Sequence, residues 1–314
     1  MTIEEHSFEP GGATAAQVHS VPMDAVGQLL PRSRNPWSGA WKLARRNPPA
    51  AISAIFIVAL VLTAVFAPLL APYGPLRIAP ADRLQPPSLT HLLGTDNLGR
   101  DVLSRILYGG RISLYVGALV VLFGTLGGGA IGMVSGYFGG KPDILIQRLL
   151  DAMQALPGLV FAMALMSVLG ASTNNVVIAI AVFSAPGNAR TMRSTVLQVK
   201  SQDYIQAARA MGCGNLRIMV QHVLINVVGP LTIIASVTFA TAILAEASLS
   251  FLGLGTPPPN PSWGGMLSGS GRDYMEVMPT LALFPGLAIV FTVLSFNLVG
   301  DALRDLVDPR TRKL

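Results

Sequence analysis

Apolar runs free of charged residues recur along the chain, with polar segments between them. Residues 50–70 form an uncharged run closed by Pro68 and Pro72. Residues 112–134, 223–245 and 277–299 are runs of similar length, and 156–171 is a shorter one. A bilayer core takes about 20 apolar residues in a helix, so these runs predict membrane spans. Residues 176–185 are apolar but short, and they span only if the helix continues through Asn188 and Met192. The expected fold is all-α and polytopic, with six transmembrane helices. Residues 1–48 are a polar tail, rich in Pro and Gly, expected to be partly disordered and to carry no signal peptide. The first helix is expected over 49–71, an extracytoplasmic segment over 72–111, and a five-helix core over 112–314. A cytoplasmic loop at about 188–222 interrupts that core.

Composition strengthens this reading. Of the 314 residues, 51% are hydrophobic and 12% charged, and the mean hydropathy is +0.55. Soluble domains carry about 25% charged residues, so too little charge is present to cover a soluble surface. Soluble enzyme, nucleic-acid binder and disordered scaffold are excluded as whole-chain readings. The net charge of +6 follows instead from orientation. Sixteen of the 22 basic residues precede the first run, lie in the second and fourth connections, or end the chain. The positive-inside rule makes that side cytoplasmic, with both termini inside. Arg100, Arg105 and Arg111 are exceptions close to a span on the outer face.

The apolar runs contain no Asp, Glu, Lys, Arg or His, and Glu246 lies just past the fifth. Ion-driven carriers usually keep ionisable groups inside the membrane, although sodium is also held by carbonyls and hydroxyls alone. The pattern therefore favours energy supplied by a partner. In the second run Gly124, Gly128, Gly132 and Gly136 recur every four residues, which lines one helix face for close backbone packing. Gly127, Gly129 and Gly132 formally make a dinucleotide motif. They lie inside an apolar run, whereas that motif must follow a strand and open a helix. The nearest approach to a phosphate-binding loop, Gly140-Lys141, has Ser135 where the first Gly belongs and Pro142 where Ser or Thr is needed. Cys213 is the only cysteine, and the four histidines are scattered. No catalytic or metal constellation is expected, and an intramembrane enzyme has no support.

In the cytoplasmic loop, Tyr204, Ala207, Ala208 and Met211 stand at i, i+3, i+4 and i+7, which predicts one apolar helical stripe. Ser201 or Asp203 is a candidate cap for its start, and Gly212 is placed to end it. Such a helix either lies in the lipid interface or docks in a groove on another protein. The two alanines favour docking, because they permit close approach while offering lipid little apolar area.

This stretch resembles the EAA loop of ABC-importer permeases, whose pattern is E-A-A-x(3)-G followed by Ile and Leu-Pro. Ala207, Ala208 and Gly212 match, Gln206 replaces the Glu, and Ile225 stands where Pro is common. Three further blocks are similar to family signatures. The first is Leu93-Gly94-Thr95-Asp96 with Gly99-Arg100-Asp101 and Ser104-Arg105. The second is residues 247–255 with Pro257-Pro258 and Pro261-Ser262-Trp263-Gly264. The third covers 297–310, with Gly300-Asp301, Leu303-Arg304-Asp305 and Asp308-Pro309-Arg310. On these blocks, covering roughly 40–312, the chain is identified as a member of the C-type permease subunits of dipeptide, oligopeptide and nickel ABC importers.

The resemblance implies a type I ABC-importer permease fold in a bacterial cytoplasmic membrane. The implied partners are a second permease subunit forming a heterodimer, two cytoplasmic ATPases and an extracytoplasmic substrate-binding protein. ATP and magnesium are expected on the ATPases and no cofactor on this chain. The implied ATPase-coupling residues are Tyr204, Gln206, Ala207, Ala208, Met211 and Gly212. Residues 250–276 read either as an outer gate or binding-protein contact, or as a structural loop. Glu246, Ser250, Phe251 and Trp263 are the pathway or gate candidates. Glu246 is read either as meeting a substrate amine or as a plain interfacial carboxylate. The implied cargo is a short peptide, with nickel, a nickel chelate or another peptide-like solute as the alternative. An autonomous secondary carrier is disfavoured by its charge-free spans.

Overall fold

A computed structural model describes residues 47–307 of the protein. Nearly all of the expected N-terminal tail, and the Asp308-Pro309-Arg310 block, lie outside the described residues. Among the described residues no β-strand occurs, and the architecture is a bundle of helices.

Helix α1, Pro48–Val65, opens with proline at its first positions, where a missing N–H costs nothing. Exposed Ile52, Ile55, Val58 and Val65 leave it without a polar face, as suits a helix bathed in lipid. Phe66 interrupts the helix before the short α2, Ala67–Leu70. The segment that follows ends at Asp101, whose carboxylate accepts the Ser104 N–H and caps α3, Val102–Val120. The helix thus begins ten residues before the expected run at 112, and the segment ahead of it is correspondingly shorter than the expected 72–111. A π-helical stretch, Val121–Gly127, joins α3 to α4, Gly128–Phe138. Together they form a 37-residue helix, Val102–Phe138.

Helices α5, Gly140–Gln154, and α6, Gly158–Leu169, meet at an 84° bend. Pro157 stands at that bend and has no N–H with which to continue a helical ladder. Helix α7, Thr173–Lys200, runs unbroken through Pro186, Asn188 and Met192. The continuation required of the short fourth run is therefore present, and residues 188–200 of the expected loop are helical. A turn leads to α8, Asp203–Ala210, and then to α9, Asn215–Ile218. A π-helical turn, Met219–Val223, joins α9 to α10, Leu224–Phe251. Helix α10 extends past residue 245, so Glu246 lies inside it. The short α11, Trp263–Met266, and the long α12, Thr280–Val307, complete the order.

Four helices are long and apolar enough to cross a membrane: Pro48–Val65, Val102–Phe138, Asn215–Phe251 and Thr280–Leu306. The bent pair α5–α6 makes a fifth if it counts as one span. Arg190, Arg193 and Lys200 dilute the second half of α7, which keeps it out of that set. The core divides along α7. At one end Val176, Val177 and Ile180 pack with Val116, Val120, Ala162, Met166 and Leu249. At the other, Met192 and Val196 pack with Tyr137, Ile205, Ala208, Ile218 and Val223.

Candidate functional site

The expected coupling segment is built on the end of α7. Gln202 precedes α8 without a side-chain cap, so neither Ser201 nor Asp203 fills that place. The far end closes through Gly212, which adopts φ +82°. Its N–H donates to the Arg209 carbonyl at 2.9 Å, and the Cys213 N–H donates to the Ala208 carbonyl at 3.1 Å. This pair of bonds around a left-handed residue is the Schellman ending, for which glycine carries no Cβ penalty.

The structure divides the predicted stripe. Tyr204, Ala207 and Met211 are exposed, and Gln206 and Gly212 are exposed beside them. Ala208 instead turns inward with Ile205, against Tyr137, Met192, Val196 and Ile218. As a docking contact Ala208 is corrected to an anchor of α8 on its own bundle. The sequence carried a signal for this: Ile205 and Ala208 stand at i and i+3, a second apolar edge beside the one read. Polar contacts hold the same junction. Lys200 Nζ donates to the Tyr137 carbonyl at 2.5 Å, and the Tyr137 hydroxyl donates to Asn215 Oδ1 at 3.0 Å. The Arg209 guanidinium lies 5.7 Å from the Tyr137 ring centroid.

The glycine column lies against α7. A Cβ at Gly124 would meet Ala181 and Ser184, one at Gly128 Ala185, one at Gly132 Ala189, and one at Gly136 Arg193 and Val196. Both helices repeat every four residues, so backbone meets backbone along the whole contact. Sequence reasoning missed two supports of this pair. Asn188 Nδ2 donates to the Gly124 carbonyl and to Thr125 Oγ1, both at 3.2 Å, and its Oδ1 accepts from Thr238 at 3.3 Å. Asp143 accepts Arg193 Nε at 2.7 Å and Nη2 at 2.6 Å, and also accepts the Ser135 hydroxyl. A lone Asn in a run needed to complete a span was the available signal for Asn188. Asp143 and Arg193 are 50 residues apart and gave none.

At the end of the bundle where α10 meets α11, three of the four gate candidates are internal. Glu246 has no exposed surface, and Ser250 and Trp263 are buried. The Ser250 hydroxyl donates to Glu246 Oε1 at 2.7 Å and accepts the Thr256 N–H at 3.3 Å. Ser262 reaches Ser250 at 3.4 Å and caps α11 by accepting the Gly265 N–H at 3.1 Å. Trp263 Nε1 donates to the Ile106 carbonyl at 3.0 Å, with its ring against Gly109 and Gly110. The reading of Glu246 as a pathway or interfacial carboxylate is therefore corrected. It is the inner node of a knot tying α10 to α11, and Trp263 carries that knot to α3. Phe251 alone of the four is exposed, on an apolar groove of about 430 Å³ lined also by Leu244, Leu267 and Ile289.

The first signature block folds into a polar turn ahead of α3. Asp96 accepts the Leu98 and Arg100 N–H groups at 2.9 and 3.0 Å, and its other oxygen accepts Arg100 Nε at 2.7 Å. Arg105 Nε lies 3.7 Å from the same carboxylate, and buried His91 bonds Asp101 at 2.9 Å. Gly94 and Gly99 take positive φ there, and a side chain at either would strike backbone. Among the described residues, no group of three or more His, Cys, Asp or Glu is placed to hold a metal ion.

With this geometry in place, similarity to known proteins is informative. Residues 128–313 match the family described as binding-protein-dependent transport system inner membrane component. Residues 35–87 match the N-terminal TM domain of oligopeptide transport permease C. A dipeptide transport system permease protein of Alkalihalophilus pseudofirmus is 42% identical over 278 residues, covering 88% of this chain and 91% of its own. A glutathione transport system permease protein of Escherichia coli is 42% identical over 298 residues, covering 95% and 97%. Its counterpart in Pectobacterium atrosepticum is 42% identical over 280 residues, covering 89% and 93%.

Proposed function

This chain belongs to the family of binding-protein-dependent transport system inner membrane components, and from that membership we propose how it works as an ABC-importer permease. It crosses the membrane six times with both termini in the cytoplasm. It pairs with a second, different permease subunit to enclose one pathway, and its cargo is a dipeptide or a small peptide of glutathione type. Two cytoplasmic ATPases bind ATP and magnesium, a binding protein delivers the peptide outside, and this chain performs no covalent step.

The observation that carries this reading is the construction of α8. Its inner edge, Ile205 and Ala208, is clamped in the core while Tyr204, Ala207 and Met211 stay open. A helix held this way is suited to sit in a cleft of an ATPase. When the ATPases close, their clefts approach, and the displacement enters α7 and the glycine column, which lies against it in rigid backbone contact. Two packed arrangements of the bundle then open the pathway outward or inward.

The test is reconstitution of the chain with its second permease, ATPases and binding protein in proteoliposomes. ATP-dependent uptake of a labelled dipeptide or of glutathione, absent without the binding protein, is the expected result. Uptake by this chain alone, indifferent to ATP, would refute it. Uptake of nickel chelate in preference to peptide would move the assignment of cargo.

A further inference from the structure

We propose that α5 is an interfacial helix seated on an anionic lipid surface at the end of the bundle that carries α8. In that position Lys141 and Arg148 reach lipid phosphates while Leu145, Leu149, Ala152 and Leu156 enter the acyl boundary. The proposal rests on the membrane placement of α6, and neither cargo nor ATPase docking enters into it.

The two sides of α5 differ in kind. On one side Asp143 is bound by Arg193 and Ser135, Gln147 Nε2 donates to Ser135 at 3.1 Å, and Asp151 accepts Arg190 at 2.6 Å. Those bonds fasten the helix to α4 and α7. On the other side Leu145, Leu149 and Leu156 are 74%, 65% and 51% exposed, and Ala152 is exposed between them. Leu145, Leu149 and Ala152 stand at i, i+4 and i+7, one helical stripe, and Leu156 follows in the bend just past the end of the helix. An apolar stripe on an outward face needs a cover.

Direction identifies that cover. Transmembrane helices tilt by about 20° on average. If α6 crosses the bilayer, the 84° bend lays α5 nearly in the membrane plane. Its depth is set by α7, whose Arg190 and Arg193 hold it near the charged end of the bundle. The stripe also continues into exposed Leu159 and Val160 of α6, so the apolar surface turns the corner from interface to hydrocarbon without a gap.

Charge identifies the kind of lipid. Lys141 and Arg148 are exposed, seven residues apart along one edge of the stripe. Arg148 is 79% exposed and only 4.0 Å from Asp151, a carboxylate already taken by Arg190. Among the described residues, no hydrogen bond or ion pair holds Lys141. An apolar stripe edged with cations is the pattern of helices on anionic membranes. The core of a protein interface, in contrast, is depleted of lysine.

The experiment uses the full importer in nanodiscs, with Cys213→Ser and a single labelled cysteine introduced as Leu145→Cys or Ala152→Cys. Fluorescence quenching is read with lipids spin-labelled at the headgroup side or at mid-chain, in neutral discs and in discs containing phosphatidylglycerol. The expected result is stronger quenching by the shallow label, increased by phosphatidylglycerol. That increase is lost in Lys141→Gln/Arg148→Gln and kept in Lys141→Arg/Arg148→Lys. Quenching that ignores phosphatidylglycerol and both charge variants would overturn the anionic assignment. Absence of quenching, with cross-linking of Ala152→Cys to the second permease, would show that protein covers the stripe. Failure of peptide uptake in the same preparation would count against the transport reading and leave the quenching result standing.

Discussion

Replacing Gly128 with alanine tests whether α4 and α7 move as one unit. The added Cβ would lie 2.6 Å from the Ala185 carbonyl oxygen and 3.1 Å from its Cα. Ordinary contact begins at 3.4 Å, so the two backbones must part by 0.8 Å. Neither contact is the end of a flexible side chain, so the clash has no cheap relief. A radial gap of about 0.5–1 Å forfeits a quarter to a half of each dispersion contact along the pair. Overpacking of this kind costs roughly 1–3 kcal/mol, and removing a helical glycine returns about 0.5–1 kcal/mol. The neighbouring Gly127 supplies the control, because a Cβ there meets nothing within 4 Å. Gly127→Ala keeps only the gain, so the two variants should differ by roughly 1–3 kcal/mol. Unfolding by SDS titration in mixed micelles reads that difference directly. Gly128→Ala resisting SDS as well as Gly127→Ala would refute the claim that backbone contact holds the pair.

Three other substitutions probe the rest of the structure. Gly212→Val places a β-branched residue at φ +82° and should cost about 1–3 kcal/mol in the turn. The expected readout is weakened recovery of the ATPases with the purified complex, and unchanged recovery would count against this turn as the coupling end. Asp143→Asn leaves Arg193, with a side chain 30% exposed, without its carboxylate partner. A loss of about 1–3 kcal/mol is expected, and an Asp143→Asn/Arg193→Gln double-mutant cycle checks that the two losses are shared. Glu246→Gln keeps an acceptor for the Ser250 hydroxyl and should leave uptake near the starting level. Glu246→Ala removes that acceptor and empties the site, and should lower stability by about 2–4 kcal/mol. Uptake lost in Glu246→Gln with stability retained would restore a direct role toward the substrate amine.

The long apolar helices and their order were legible from the apolar runs, because hydrophobicity over 20 residues sums many local terms of one sign, whereas α5 and α11 lie outside every run. Gly212 was legible for a related reason: a left-handed residue after a short amphipathic segment is a local event. The period of the glycine column disclosed that one face packs closely. Its partner, the carbonyl line from Ala181 to Ala189, was not disclosed, since that pairing joins residues 57 apart. Glu246 shows the limit most clearly. Its place beside an apolar run is equally compatible with a water-filled pathway and with a sealed knot. The difference depends on Ser250, Ser262 and Trp263 folding back over it. The same holds for Ala208, which the helical period placed on the docking stripe and the packing of Ile205 drew into the core. Sequence by itself determined which long segments are apolar enough to leave water. Tertiary structure decided which individual polar and small residues face protein, because the burial of one side chain depends on neighbours brought from distant parts of the chain.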